Sequence, residues 1–364
     1  MVLVVADGQQ YYVQPGATAA LQREVFGDRF NVAGIITRGS TPEFVRAVLD
    51  ASGHPNWKRA WQLFRADQWV EDIDAVRHAL VGNGKIALYG RSGGAYLVHQ
   101  YLAKHGAHVT RAFTQSPVNP RLARELHLPI EHFWEELSAE EQGQLRQALA
   151  DHPADRLRTL VTLQRQHFFV PAAGLAEARA GLIRALATGD EPRYAAARKE
   201  YEVDEVLALS RSTDAVPQHV RVLELLYPAE AFTRHEVDVV QPMIDSQREL
   251  LAPLLSLVAE GAIDIPEFDL AAVHTLATDL FVLAARWDEA VDYRTTIALA
   301  YSYPNHALLL ADDNHVFARL DEAKIRAPLV RTFLESGSRS SAFERLRKEA
   351  EPWSWREGDR GAVQ

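Results

Sequence analysis

The chain has 364 residues, 47% of them apolar and 24% charged, with 39 Lys and Arg against 49 Asp and Glu for a net charge of −10. That length exceeds the roughly 100–200 residues of a usual domain, so it calls for two domains or one large domain with an insertion, and the ordinary composition excludes extended disorder and low-complexity repeats. The acidic balance argues against nucleic acid as a partner, and the absence of cysteine excludes disulfides, thiolate metal ligands and cysteine nucleophiles.

The chain begins with a short apolar run that ends at Asp7 and lacks a basic leader, which does not fit a secretory signal. Nowhere do about 18 apolar residues run together, so no membrane-spanning helix or membrane partner is expected. The expected location is the cytoplasm.

Residues 2–5 read as a fully buried strand, because a continuous, valine-rich apolar run suits a parallel sheet covered on both faces. Residues 30–37 repeat the pattern. Over residues 68–80 the apolar positions Trp69, Ile73, Val76 and Leu80 share one helical face. A strand at 85–89 is followed at once by an apolar-rich helix at 93–103, which is the grammar of a βαβ unit. Further strands are expected at 109–114, 280–285 and 307–311, with a helix at 293–301 between the last two. From about 117 to 268 only amphipathic helical stretches occur, among them 175–186, 194–209 and 237–258, with a capping box expected at Ser138–Glu141. A polar tail follows Trp355.

Gly90-Arg91-Ser92-Gly93-Gly94 fits G-x-S-x-G between a strand and a helix. Such a turn strains the serine backbone, excludes side chains two positions either way, and exposes the hydroxyl at a helix N-terminus that favours developing negative charge. A phosphate-binding loop would end in Lys-Ser or Lys-Thr, which is absent here. A serine needs a base, and the base an orienting acid, in the chain order Ser, acid, His. Asp288 follows the 280–285 strand and His315 follows the 307–311 strand, both on the edge where open α/β sheets bind ligands. Of the fourteen histidines, His306 precedes its strand, and His99 and His105 lie in or just after the helix following the serine. Glu289 and Asp292 are the alternative acids. Asp312 and Asp313 read as a polar loop rather than a metal site, since no second histidine is suitably spaced.

With these residues in place the sequence resembles the α/β-hydrolase superfamily, and in detail its proline-iminopeptidase-like (prolyl aminopeptidase) branch. Arg38-Gly39-Ser40 resembles that branch's Arg-Gly-(Ser/Thr) turn, residues 72–80 its helix before the nucleophile strand, and Arg286-Trp287-Asp288 its Gly-Arg-Tyr-Asp acid turn. The resemblance implies a mostly parallel sheet flanked by helices, with an all-helical cap inserted at 120–269 between core segments 1–119 and 270–364. Tyr201-Glu202 and Glu224-Leu225-Leu226-Tyr227 resemble the cap segments whose glutamates hold a substrate's α-amine, which makes Glu202, Glu224, Tyr227 and Trp287 the implied substrate-binding residues. The family's His-Gly-Gly-Pro-Gly oxyanion loop is here Ala6-Asp7-Gly8-Gln9-Gln10, and the two strands that usually precede it are expected to be missing. The amide of Gly93 is the first expected oxyanion donor, with Gly8 or Gln9 the second.

The expected activity is that of a serine hydrolase needing no cofactor. It would act on a small ester, amide or N-terminal peptide bond of a small molecule or short peptide, through Ser92, His315 and Asp288. Aromatic residues such as Phe133, Trp134, Phe168, Phe169 and Tyr227 would wall the site. An esterase or lactonase, an acyl-transfer tailoring enzyme and a non-catalytic ligand receptor are the alternatives.

Overall fold

Strands buried on both faces need apolar side chains at successive positions, and Val2 to Val5 are all buried. The computed structural model describes residues 1–5, 15–35, 38–128, 130–228, 230–233 and 238–355. Among them β1 (Val2–Val5), β2 (Val32–Gly34), β3 (Ile86–Arg91), β4 (Val109–Gln115), β5 (Asp279–Ala285) and β6 (His306–Ala311) form one sheet in the order β2-β1-β3-β4-β5-β6. Every pairing is parallel. The order reverses between β1 and β3, which creates a crevice beyond the carboxyl ends of the strands.

Alternation splits each strand between two apolar layers. Val2 and Val4 join Phe113, Phe281, Phe333 and Phe343 on one face, while Leu3 and Val5 join Leu88, Val282, Trp69 and Tyr101 on the other. The helices that matter for the site are α1 (Ala66–Val81), α2 (Gly93–His105), α3 (Arg156–Phe169), α4 (Ala172–Thr188), α5 (Val216–Leu226) and α6 (Tyr293–Tyr301). Between β4 and β5 the described residues contain helices and no strand.

The boundaries shift where backbone chemistry intervenes. The strand expected over 30–37 contracts to Val32–Gly34, with residues 36–37 outside those described. The helix expected over 194–209 is two, Glu191–Glu200 and Val203–Ser210, broken at Glu202 with φ 53°. The stretch 237–258 likewise divides into Pro242–Leu250 and Ala252–Ala259, each with a proline in its first turn, where no amide is missed. The capping box forms as expected: the Ser138 hydroxyl accepts from the Glu141 amide, and the Glu141 carboxylate accepts from the Ser138 amide at 2.7 Å. Among the described residues no helix is long and apolar enough to cross a membrane.

The helical block packs on more than the sheet. Ala60, Trp61 and Phe64 of the Trp57–Phe64 helix share one apolar cluster with Val216, Val220 and Leu223 of α5. Arg38 donates twice to Asp72 at 2.7 Å and once to the Leu63 carbonyl, joining the turn after β2 to α1. At the N-terminus of α1, both carboxylate oxygens of Glu224 accept from the Ala66 amide at 2.9 and 3.0 Å, and Glu224 also pairs with the fully buried Arg221. Removing one member of a buried pair leaves the other charge uncompensated. Glu224→Gln should therefore lower the unfolding free energy by about 3 kcal/mol, and urea titration of the variant against wild type measures it.

Candidate active site

The turn between β3 and α2 carries Ser92. Its φ of 51° and ψ of −126° place it in strained backbone that few non-glycine residues adopt. The strain is held by the sheet, since the Ser92 amide donates to the Gln115 carbonyl at 2.8 Å, and by α2, since the Ala95 amide donates to the Ser92 carbonyl at 2.8 Å. Gly90 has to be glycine: a Cβ there would sit 2.7 Å from the Gly94 carbonyl oxygen and 2.8 Å from Val98. Gly93 opens α2, whose first amides lack intrahelical partners and point toward the Ser92 side chain's end of the helix.

The loops after β5 and β6 bring Asp288 and His315 to this turn. His315 Nε2 lies 3.1 Å from Ser92 Oγ, and His315 Nδ1 lies 2.8 Å from Asp288 Oδ2. A carboxylate only accepts, so Nδ1 carries the proton and Nε2 is left to accept from the serine hydroxyl. Asp288 is 1% exposed. Its Oδ2 also accepts from the Ser116 hydroxyl at 2.7 Å, and its Oδ1 accepts from the Ala290 and Val291 amides at 2.9 and 3.0 Å. Burial pushes this carboxyl up, but the electrostatic attraction of the His315 imidazole and the hydrogen bonds from His315 and Ser116 outweigh it and hold the group below its ordinary value. The other two candidate acids are engaged elsewhere: Glu289 pairs with the buried Arg179 of α4, and Asp292 caps α6 while pairing with Arg294.

The end of α3 lies over His315. The Phe168 ring meets the His315 ring edge-on with centroids 5.4 Å apart, and the His167 ring stands 6.1 Å from it. His167 is fully buried, and burial, reinforced by the neighbouring His315 imidazole, pushes its pKa down to about 3. His99 is equally buried between Tyr303 and Thr114, and burial takes it down to about 3 as well. Asn314, the neighbour of His315, donates from its side-chain amide to the His167 and Val170 carbonyls.

The remaining expected residues fall as follows. Glu202 is exposed and pairs with Arg165 at 3.4 Å. Glu224 is buried against Ala66 and Arg221. Tyr227 packs against Phe232, with ring centroids 6.4 Å apart. Trp287 donates from its indole to Asp312 at 2.8 Å and lies under the Arg286 guanidinium. Gly8 and Gln9 lie outside the described residues. Among the expected aromatic walls Phe168 meets His315, whereas Phe133 lies under Arg179, Trp134 under Arg146, and Phe169 against Tyr201. Sequence reasoning missed Ser116, Asn314 and His167. Ser116, with φ 46°, leaves the carboxyl end of β4, the same edge that pointed to Asp288 and His315.

Residues 18–315 match the sequence profile of the α/β-hydrolase fold family. The chain belongs to that family, and in class it is a serine hydrolase. Similar solved structures include an esterase from Exiguobacterium antarcticum, 12% identical over 92% of this chain and 91% of that one, with a TM-score of 0.46. A meta-cleavage product hydrolase from Pseudomonas fluorescens IP01 is 14% identical over 93% and 90%, with a TM-score of 0.47. A bromoperoxidase from Bacillus anthracis is 15% identical over 92% and 91%, with a TM-score of 0.45. None of these likenesses bears on the substrate of this chain. No curated protein matches it.

The buried histidines make stability depend on pH. Both fold neutral with pKa values near 3 against an ordinary 6.5, so below pH 6.5 the unfolded chain takes up protons that the folded chain refuses. Stability contributed by each is complete above pH 6.5 and is lost as pH falls toward 3. Between pH 7.5 and 5 each histidine should remove about 2 kcal/mol. In His167→Gln, urea titrations at those two pH values should differ by about that much less than in wild type.

Proposed function

We propose that this hydrolase cleaves small esters through an acyl-enzyme on Ser92, with His315 as general base and acid and Asp288 as the carboxylate that orients it. One observation carries the reading: a continuous run of hydrogen-bonding contacts from Ser92 through His315 to a buried Asp288, 3.1 and 2.8 Å long. As Ser92 Oγ attacks the substrate carbonyl, its proton passes to His315 Nε2, and Asp288 stabilises the imidazolium that forms. The carbonyl oxygen becomes an oxyanion beside the start of α2, where the Gly93 amide donates to it, with Gly8 or Gln9 as the second donor. His315 then returns the proton to the departing alkoxide, and a water molecule repeats the sequence to free Ser92.

In this reading residues 120–269 act as a cap over core segments 1–119 and 270–364. The contact of Phe168 with His315 supports that role. Ester cleavage is favoured over aminopeptidase action by the state of the two carboxylates that the aminopeptidase reading needs. A carboxylate that binds a cationic amine has to be free and facing the nucleophile, whereas Glu202 is at the surface with Arg165 and Glu224 is occupied on both oxygens.

A fluorophosphonate should label wild type at Ser92. Ser92→Ala should abolish labelling and lower turnover of an aryl ester by roughly 10⁴-fold or more. Absence of label at Ser92 in wild type would sink the assignment. In a panel of aryl esters, lactones and aminoacyl aryl-amides, rates should be highest on esters and indifferent to acetylation of a substrate amine. A large loss on acetylation would return the aminopeptidase reading, tight binding of an intact ligand without turnover a receptor, and capture of the acyl group by an acceptor other than water a transferase. Ser116→Ala removes one hydrogen bond to the Asp288 carboxylate and should slow ester turnover about tenfold, the equivalent of about 1.4 kcal/mol, as steady-state kinetics will measure.

A further inference from the structure

The last carbonyls of a helix have no amide partners within it. At the end of α3 the sequence makes this worse, because the residue four beyond His167 is Pro171, which has no N–H to offer its carbonyl. Val170 is extended, with φ −100° and ψ 126°, so its carbonyl lies outside the helix ladder, and the Gly174 amide just beyond donates to the Pro171 carbonyl at 2.9 Å. Two carbonyls are thus left over, and Asn314 meets both: its single amide nitrogen donates to the His167 carbonyl at 2.9 Å and to the Val170 carbonyl at 3.0 Å. Asn314 is 1% exposed, and its own carbonyl oxygen faces the Val316 amide at 3.3 Å, so the side chain is held from both ends. Its backbone amide donates to Asp313, whose other oxygen takes the Leu320 amide at 3.0 Å.

We propose that Asn314 is a positioning residue that fastens the end of α3 to the turn bearing His315, so that Phe168 and His167 form a fixed, dry wall against the His315 imidazole. The inference rests on the assignment of Ser92 and His315 above. His315 is held in its plane on one side by Asp288 and Ser92, and on the other by two rings that only the α3 end supplies. Releasing α3 frees those rings, opens the imidazole to water and loosens its approach to Ser92. The loss falls on the chemical step more than on substrate binding.

The test compares wild type, Asn314→Ala, Asn314→Ser, Phe168→Ala and the double variant Asn314→Ala/Phe168→Ala. Each is assayed well below its own Tm for the rate of fluorophosphonate labelling and for kcat and KM on p-nitrophenyl acetate. Asn314→Ala should slow labelling and kcat on the order of 10- to 100-fold while KM changes by less than about threefold, with Asn314→Ser, which keeps one donor, in between. Phe168→Ala removes the ring that Asn314 seats against His315 while leaving the Asn314 hydrogen bonds to the backbone in place. It should slow labelling in the same direction, and Asn314→Ala should add little to it in the double variant. Equal labelling rates for Asn314→Ala and wild type overturn the inference, as does an Asn314→Ala effect that adds in full to that of Phe168→Ala. If Asn314→Ala does not fold, the rates of Asn314→Ser and Phe168→Ala decide. Wild type that takes no label at Ser92 removes the assignment of the nucleophile itself, an outcome separate from labelled wild type with an indifferent Asn314→Ala.

Discussion

A carboxylate removed from water has to be surrounded by donors, and in this protein that constraint falls on Asp288. The penalty for burying such an ion is several kcal/mol even after relaxation, while each hydrogen bond to a charged group returns about 1.5–3 kcal/mol. Four donors converge on it: the Ser116 hydroxyl, the Ala290 and Val291 amides, and His315 Nδ1. The sum is enough to keep the carboxylate ionised, and losing any one donor shifts the balance appreciably. The donors come from the ends of β4, β5 and β6, so satisfying one charge fixes three strand ends relative to each other. The position of His315 over Ser92 follows from that arrangement.

The sheet was legible because its strands are buried on both faces. Continuous apolar runs such as 2–5 and 280–285 have no other comfortable place, and the short glycine-flanked turn at Ser92 makes sense only between a strand and a helix. Asp288 and His315 could be named because they leave consecutive parallel strands at the same edge. Ser116 leaves β4 at that edge too, but a serine followed by proline reads as an ordinary loop until the carboxylate it serves is known.

The glutamates of the helical block were legible as residue types and not as roles. Glu202 stands in a charged stretch and is solvated beside Arg165, whereas Glu224 stands among leucines and is buried at the start of a helix 158 residues away in the chain. The apolar flanks point to burial of Glu224, but local spacing carries no record of which distant amide it meets. The same limit applied to Arg38 and Asp72, whose segments were each recognisable and whose double hydrogen bond was not.

The three residues of the site are anchored differently. Ser92 is held by its own strand, by the Gln115 carbonyl of the neighbouring strand and by the helix it begins, all parts of the sheet layer. Asp288 and His315 each have a chain neighbour bound to the helical block: Glu289 to Arg179 of α4, and Asn314 to the end of α3. The Asp292 amide adds a third link, donating to the Ile130 carbonyl at 3.0 Å. A displacement of the helical block would therefore be felt first at the acid and the base, with the nucleophile left in its strained turn. In the proposed mechanism the proton crosses the 3.1 Å between Ser92 and His315, and with the anchoring divided in this way the seating of the helical block would set that distance as well as shape a pocket.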